Sequence, residues 1–239
     1  MARANLSASV VVAAGADLAD EDGFEQVTLS AVARRLGVQT ASLYHHVRDR
    51  AELLAGIHEL ALDELADRIG AAVAGRAGRD ALVGLAEEQR TFARESPGRW
   101  AALQQPAAPS TVASPGARRV AELTMAVLRG YDVEEAELVH VTRFLGATVN
   151  GFLALERSGG FGHRTPAPEV SWRRTLTALD AIVRTWPASS STLCATVPSV
   201  LAGDWGSSAG WRAAWHAARR AHCDKPVKLD GETALRGAM

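Results

Sequence analysis

Between Thr28 and Arg50 the chain reads TLSAVARRLGVQTASLYHHVRDR, and the reactive side chains there are hydrogen-bonding and cationic. Gln39, Thr40, Ser42, His45 and His46 carry donors and acceptors that can reach base edges or phosphate oxygens of a duplex. Arg34, Arg35, Arg48 and Arg50 flank them, with Asp49 the only acid in the segment, although the whole chain carries a formal charge of -1. Glutamine can pair bidentately with adenine, and Thr or Ser can serve a base or a phosphate, each good base contact being worth about 1 to 3 kcal/mol of discrimination. Gln39, Thr40 and Ser42 are therefore the candidates for reading sequence. A metal role for the adjacent His45 and His46 fails on geometry, because neighbours on a helix point about 100° apart. His58, His140, His163, His216 and His222 show no ligand spacing either, so no metal or cofactor is expected. His58, on the long fourth helix, faces the effector cavity or solvent, and solvent is the preferred reading. No nucleophile stands at motif spacing from a base, and no Gly-rich phosphate loop follows a strand, so an enzyme is not expected.

These side chains need two short helices to present them. Leu29, Val32, Ala33 and Leu36 fall at i, i+3, i+4 and i+7, which predicts a helix capped by Thr28 and ended by Gly37. A second helix follows, carrying Ala41, Leu43, Tyr44 and Val47. Such a pair is a helix-turn-helix, whose second helix keeps a free face for the major groove. Ahead of it the spacing of Val11, Ala14 and Leu18 predicts a helix over Ser7 to Ala19, followed by the acids Asp20, Glu21 and Asp22 and the breaker Gly23. Behind it, Asp49 and Glu52 form a capping-box pattern that opens a long helix with Leu54, Ile57, Ala61 and Leu65 on one side.

Gly23-Phe24, Thr28-Leu29, Ala33, Leu36-Gly37-Val38, Leu43-Tyr44-His45-His46-Val47 and Arg50 through Leu53-Leu54 resemble the DNA-binding half of the tetracycline-repressor (TetR) family of bacterial transcription regulators, without a gap from about Ser7 to Leu60. The resemblance implies an all-α homodimer with an amino-terminal reader of double-stranded DNA. It also implies a helical half that binds a small effector, whose arrival releases a palindromic operator. Carried onto this sequence, it puts Thr28 against a phosphate and Gln39, Thr40, Ala41 and Ser42 at the start of the recognition helix. Tyr44 and His46 take phosphate- and groove-facing positions, and Arg50 stands for the usual Lys of the fourth helix. Arg35 and His45 join the DNA-facing set from the reading of the residues themselves. Two departures are Val47, where an aromatic is commoner, and Gln39, where Ser or Thr is the usual cap.

The 239 residues, 47% hydrophobic and 22% charged, fit a globular chain with one or two cores. Composition divides it into a helix-turn-helix domain over 1–50, a helical effector-binding and dimerisation domain over 51–187, and an atypical tail over 188–239. In the middle part, helices are expected over Asp80–Glu95, Gly116–Tyr131, Glu134–Arg157 and Ser171–Trp186. The breaks fall at Gly75–Gly78, at Ser96-Pro97-Gly98, over Pro106–Pro115, which is a loop or a badly broken helix, and over Ser158–Gly162, with Trp100 and Leu103 on a short helical piece. Phe144 to Leu155, FLGATVNGFLAL, resembles the Trp-His-Gly type of TetR carboxy-terminal domain, with Asn150-Gly151 where that subgroup carries His-Gly. The resemblance implies that the last two core helices pair with their twins.

Cavities between bundle helices are mostly apolar. Phe92, Trp100, Leu103, Phe144, Thr148 and Phe152 are the candidate effector contacts, with Asn150, Arg90, Arg94 and His140 as polar partners. The tail holds both cysteines (Cys194 and Cys223), both lysines (Lys225 and Lys228) and three of six tryptophans, and is expected to be poorly ordered rather than an extension folded on a core or partner. No disulfide, signal peptide or membrane span is expected, which places the protein in the cytoplasm. The competing reading is a helical sensor or interaction protein with a non-DNA role.

Overall fold

Ser7 Oγ accepts a hydrogen bond from the Val10 amide at 3.3 Å and starts α1, Ala8–Asp22. The computed structural model describes residues 6–187, and within them the fold is all-α with no strand. The expectations for the tail over 188–239 lie outside the described residues. Thr28 caps α2 (Leu29–Leu36), Gln39 precedes α3 (Thr40–Leu43), and Asp49 caps α4 (Arg50–Val73) through the Glu52 amide at 2.8 Å. The capping box is displaced by one residue: the Glu52 carboxylate accepts from the Arg48 amide rather than reaching back to Asp49. After α4 come α5 (Gly78–Glu95), α6 (Pro97–Leu103), the single turn α7 (Pro109–Val112), α8 (Pro115–Arg129), α9 (Leu138–Arg157) and α10 (Pro168–Arg184).

Ser96-Pro97-Gly98 does more than stop α5. Pro97 is the first residue of α6, where its fixed φ and missing N–H suit a helix start. The stretch over Pro106–Pro115 likewise contains a turn of helix, again opened by a proline.

Two hydrophobic cores form, and α4 belongs to both. Leu53 and Ile57 join Val11, Leu18, Phe24, Val32, Leu43 and Val47 in the first; Ala61, Leu65 and Ile69 join Leu82, Leu85, Phe92, Leu128, Leu145 and Trp172 in the second. Burying each large aliphatic side chain stabilises the fold by about 1.5–3 kcal/mol. The junction between the cores thus falls inside α4, which runs from one to the other as a single helix of 24 residues.

His58 sits at that junction and is 8% exposed, which corrects the expectation that it faces solvent. One turn after Leu54, it lies where Phe24, in the short 3-10 turn Phe24–Gln26, and the segment after α6 close over α4, lining a hollow of about 460 Å3. Burial holds its imidazole below the ordinary value of 6.5.

Arg90, on α5, is 2% exposed and is fully engaged: Glu156 on α9 accepts from it at 2.5 and 3.0 Å, Glu169 on α10 lies at 2.8 Å, and its guanidinium stacks 5.0 Å from the Trp172 ring centroid. The hydrogen bonds from Arg90, and from Arg94 at 3.0 Å, hold the Glu156 carboxyl below the usual carboxylate range. These two arginines brace α9 and α10 against α5, and that bracing is where their charge is used.

The stretch 135–157 reaches a mean hydropathy of 1.3 over a window long enough to cross a membrane, contrary to the expectation that none would. A third of that window is buried in the fold, through Leu138, Val141, Leu145, Val149 and Leu153. Its other face is partly apolar and exposed, with Val139 and Leu155 turned outward.

Candidate nucleic-acid interface and effector cavity

Gly37 makes the turn of the helix-turn-helix. Its φ of 68° is left-handed, and the turn closes with the Val38 amide on Ala33 O at 3.0 Å. A Cβ at that φ would strain the backbone, which is why glycine stands there. Beyond it α3 is shorter than the spacing implied: four residues of α-helix, continued as a turn in which the His46 and Val47 amides bond Leu43 O at 2.8 and 3.0 Å. Gln39 stands in the capping position with extended backbone, yet its side chain makes no capping bond. Glutamine has one methylene too many for that geometry, and the exposed amide is left for other partners.

Leu43 and Val47 lock this element into the first core, at 0% and 3% exposure. Gln39, Ala41, Tyr44 and His45 are exposed, and Thr40, Ser42 and His46 are half-buried beside them. Ala41 and Tyr44 lie outside the buried side; Tyr44 presents its ring and hydroxyl to solvent at 56% exposure. At the start of α2, Thr28 Oγ1 accepts from the Ala31 amide at 3.1 Å, which leaves its hydroxyl hydrogen to donate outward.

The arginines around this ridge divide by partner. Arg35 donates to both oxygens of Glu21 at 2.6 and 2.7 Å, a pairing that draws the Glu21 carboxyl below its ordinary value. Arg48 pairs with Glu52 at 3.1 Å. Arg50 turns inward, its Nε donating to Val27 O at 2.7 Å and its Nη2 to Glu25 O at 3.3 Å, so that it staples the start of α4 to the segment before α2. Arg34 is exposed and has no ion pair among the described residues.

Between α4, α5, α6, α8 and α9 lies a cavity of about 210 Å3. Trp100 and Leu103 from α6 and Asn150 from α9 line it, as do Leu62, Leu65, Leu85, Val120 and Leu145, with Gln89, Gln104, Thr124, Thr142 and Gly146 completing the wall. The other expected contacts are elsewhere. Phe92 is buried under Arg68, whose guanidinium lies 5.5 Å from its ring centroid; Phe144 packs on Trp186 at 5.6 Å; and Phe152 sits between Phe161 and Trp172 at 4.9 and 5.0 Å. Thr148 bonds back to Phe144 O at 2.9 Å, and His140 is exposed. Each aromatic was a reasonable cavity candidate by type, but each fills a seam between helices instead.

A third cluster joins the cavity to the reader, and sequence reasoning missed it. Asp20, near the end of α1, accepts from the Gly98 and Arg99 amides at 2.7 and 2.9 Å and pairs with the Arg99 guanidinium. It thus caps α6 from another helix, in place of Ser96, which makes no capping bond. Arg99 also reaches Asp17 at 2.8 Å and Glu64 at 3.1 Å. Burial raises the Glu64 carboxyl, with Asp20 and Asp17 adding to the effect against Arg99. Gly98 allows the approach, since a Cβ there would lie 2.0 Å from the Ala19 carbonyl carbon. A helix that opens on Pro-Gly with no capping side chain of its own was the available signal.

Comparison with known proteins agrees with this anatomy. A family model described as bacterial regulatory proteins, tetR family, matches residues 11–57, and one described as tetracyclin repressor-like, C-terminal domain, matches residues 82–179. The chain is 29% identical over 161 residues to the HTH-type transcriptional regulator Rv0681 of Mycobacterium tuberculosis, covering 65% of this chain and 72% of that protein. It is 28% identical over 153 residues to the HTH-type transcriptional regulator YobS of Bacillus subtilis, covering 64% and 80%. Among solved structures of like fold are a protein from Rhodococcus (TM-score 0.61, 22% identity, 77% of this chain and 98% of that one) and a TetR variant from Acinetobacter baumannii in complex with minocycline (TM-score 0.59, 21% identity, 77% and 100%). The two family models together take in more than half of the chain, one on the helix-turn-helix and the other on the bundle that encloses the cavity, and the chain belongs to the TetR family of transcriptional regulators.

Proposed function

We propose that this protein is a homodimeric, ligand-responsive repressor that reads a palindromic operator through α2 and α3 and leaves it when a small molecule fills the cavity under α6. The observation that carries the reading is the position of α6. Its Trp100 and Leu103 line the cavity, while its first turn is capped by Asp20 of α1, so one short helix touches both the ligand space and the reader. A ligand that displaces α6 draws on α1 directly. It lowers operator affinity by the difference in its own affinity for the two arrangements, and by no more. The relative of like fold that holds minocycline supports a bundle of this kind as a container for small molecules. Such a protein acts where the DNA is, in the cytoplasm, and needs no metal or cofactor.

The DNA-facing set is Thr28, Gln39, Thr40, Ala41, Ser42, Tyr44, His45 and His46, with Arg34 as the exposed cation beside them. Arg35 and Arg50 hold the ridge in place through Glu21 and through the Val27 and Glu25 carbonyls. Pairing comes from α9 and α10. Their outward residues include Val139, Leu155 and Ile182, at 48%, 51% and 41% exposure, and the small residues Ala147, Gly151, Ala154 and Ala178. A Cβ on Gly151 would meet nothing within 4 Å inside the protomer, so the protomer itself does not require that glycine. Close packing of a second helix pair does, and it also accounts for the unburied apolar face of α9.

The test is fluorescence anisotropy on a duplex selected from random sequence, at several stated salt concentrations. Thr40→Ala should relax preference at one base pair by about 1–3 kcal/mol. Arg34→Ala should weaken all duplexes alike and lower the salt slope by about one. Identical behaviour of the two variants on selected and random DNA would contradict the assigned roles.

A further inference from the structure

Four threonines within helices of this protein, Thr124, Thr148, Thr175 and Thr177, and Thr185 just after α10 donate their hydroxyl to the carbonyl four residues earlier, at 2.8–3.0 Å. Thr142, in the second turn of α9, does not. Its Oγ1 is buried and has no hydrogen-bond partner, and the residue lines the cavity, in line with Gly146 and Asn150 at i+4 and i+8. A buried hydroxyl left unmatched costs about 1–3 kcal/mol, and helical threonine has a ready local remedy that this one forgoes.

The rest of the wall restricts what could supply the missing partner. Among the described residues no charged side chain lines the cavity; its polar groups are the neutral side chains of Gln89, Gln104, Thr124, Thr142 and Asn150. An ionised ligand group would lose its hydration without a counter-charge, which in a protein interior costs several kcal/mol. Trp100, 4% exposed, offers an aromatic wall, and leucines and valine the remainder, a surface that suits a flat ring. The volume of about 210 Å3 is below the roughly 300–1,000 Å3 of ordinary ligand clefts, which points to one or two rings.

Resting on the reading of this cavity as the effector site, we propose that it takes an uncharged aromatic alcohol of one or two rings, whose hydroxyl pairs with Thr142 Oγ1 once rotation about χ1 turns that atom from its buried position to the cavity. A hydroxyl both donates and accepts, as does threonine, so either orientation satisfies the pair. Carboxylates, phosphates and ammonium compounds of the same size are excluded by the neutral wall.

Isothermal titration of the full chain at neutral pH with naphthol, naphthalene and naphthoate tests this, repeated on Thr142→Val, with operator release followed in parallel. Naphthol should bind about tenfold more tightly than naphthalene, and naphthoate should not bind measurably. Thr142→Val keeps the shape of the side chain and removes the unmatched hydroxyl. It should fold at least as stably as the parent, bind naphthalene as before, and bring naphthol down to the naphthalene level. Naphthoate binding as tightly as naphthol, no binding of naphthol, or naphthol binding unaffected by Thr142→Val would each overturn the proposal. Thr142-dependent naphthol binding without operator release would uphold the ligand class and instead contradict the cavity's role as an effector site. Operator release by naphthoate alone would keep that role and overturn the ligand class.

Discussion

Arg50 shows how a side chain with the right charge can be occupied by the fold. By position it stands for a phosphate-binding lysine, but its guanidinium donates to two backbone carbonyls that precede α2. Arg50→Ala should lower the urea midpoint, by a stability loss of about 1–3 kcal/mol, without changing the slope of the transition. Arg50→Lys, a point charge without the fork, should recover only part of it. His58 makes a second prediction at this scale. Its folded value lies below 6.5, so the folded state disfavours the proton; stability is complete above 6.5 and falls as pH drops through 6.5, where the unfolded chain takes up the proton first. Denaturation midpoints measured between about pH 7.5 and pH 5.5 should decline in the parent, and this decline should be shallower in His58→Leu. Neither role was legible in the sequence. Both depend on what a distant segment places over α4, and no local spacing encodes that.

At the scale of elements, α6 is the helix that the cavity and α1 share. Asp20→Ala removes the cap of α6 and one partner of Arg99 while leaving every cavity residue in place. A lost cap costs about 0.5–2 kcal/mol. Ligand binding should therefore remain within a few fold of the parent, while the ligand's effect on operator affinity shrinks towards none; calorimetry and anisotropy on the same preparation separate the two. The helices themselves were readable from spacing. Val11, Ala14 and Leu18 are buried on α1 as their periodicity implied, and Thr28, Gly37 and Asp49 occupy the caps expected of them. Their contacts across the molecule were not. Asp20 reads as part of an acidic run, and only the fold brings it to an amide 78 residues later. Phe92, Phe144 and Phe152 misled for a related reason: an aromatic on a core-facing helix satisfies the same periodicity whether it fills a seam or lines a hollow.

For the whole molecule, one protomer offers one reading head, and a palindrome needs two held about 34 Å, or a multiple of that, apart. The outward faces of α9 and α10 are the means proposed for holding them. Gly151→Arg introduces a bulky charge where the protomer has open space, so the protomer should fold unchanged while pairing is lost. Helical content and unfolding midpoint by circular dichroism should match the parent apart from the part of stability that depends on protein concentration. The most direct test of the account is sedimentation of the full chain, alone and with a duplex recovered by selection from random sequence, comparing parent and Gly151→Arg. Two parent chains per molecule in solution, two on each palindromic duplex, and a single-copy variant with severely weakened binding are expected. A parent that is single-copy and binds all duplexes equally, or a Gly151→Arg variant that still pairs and binds like the parent, would contradict it.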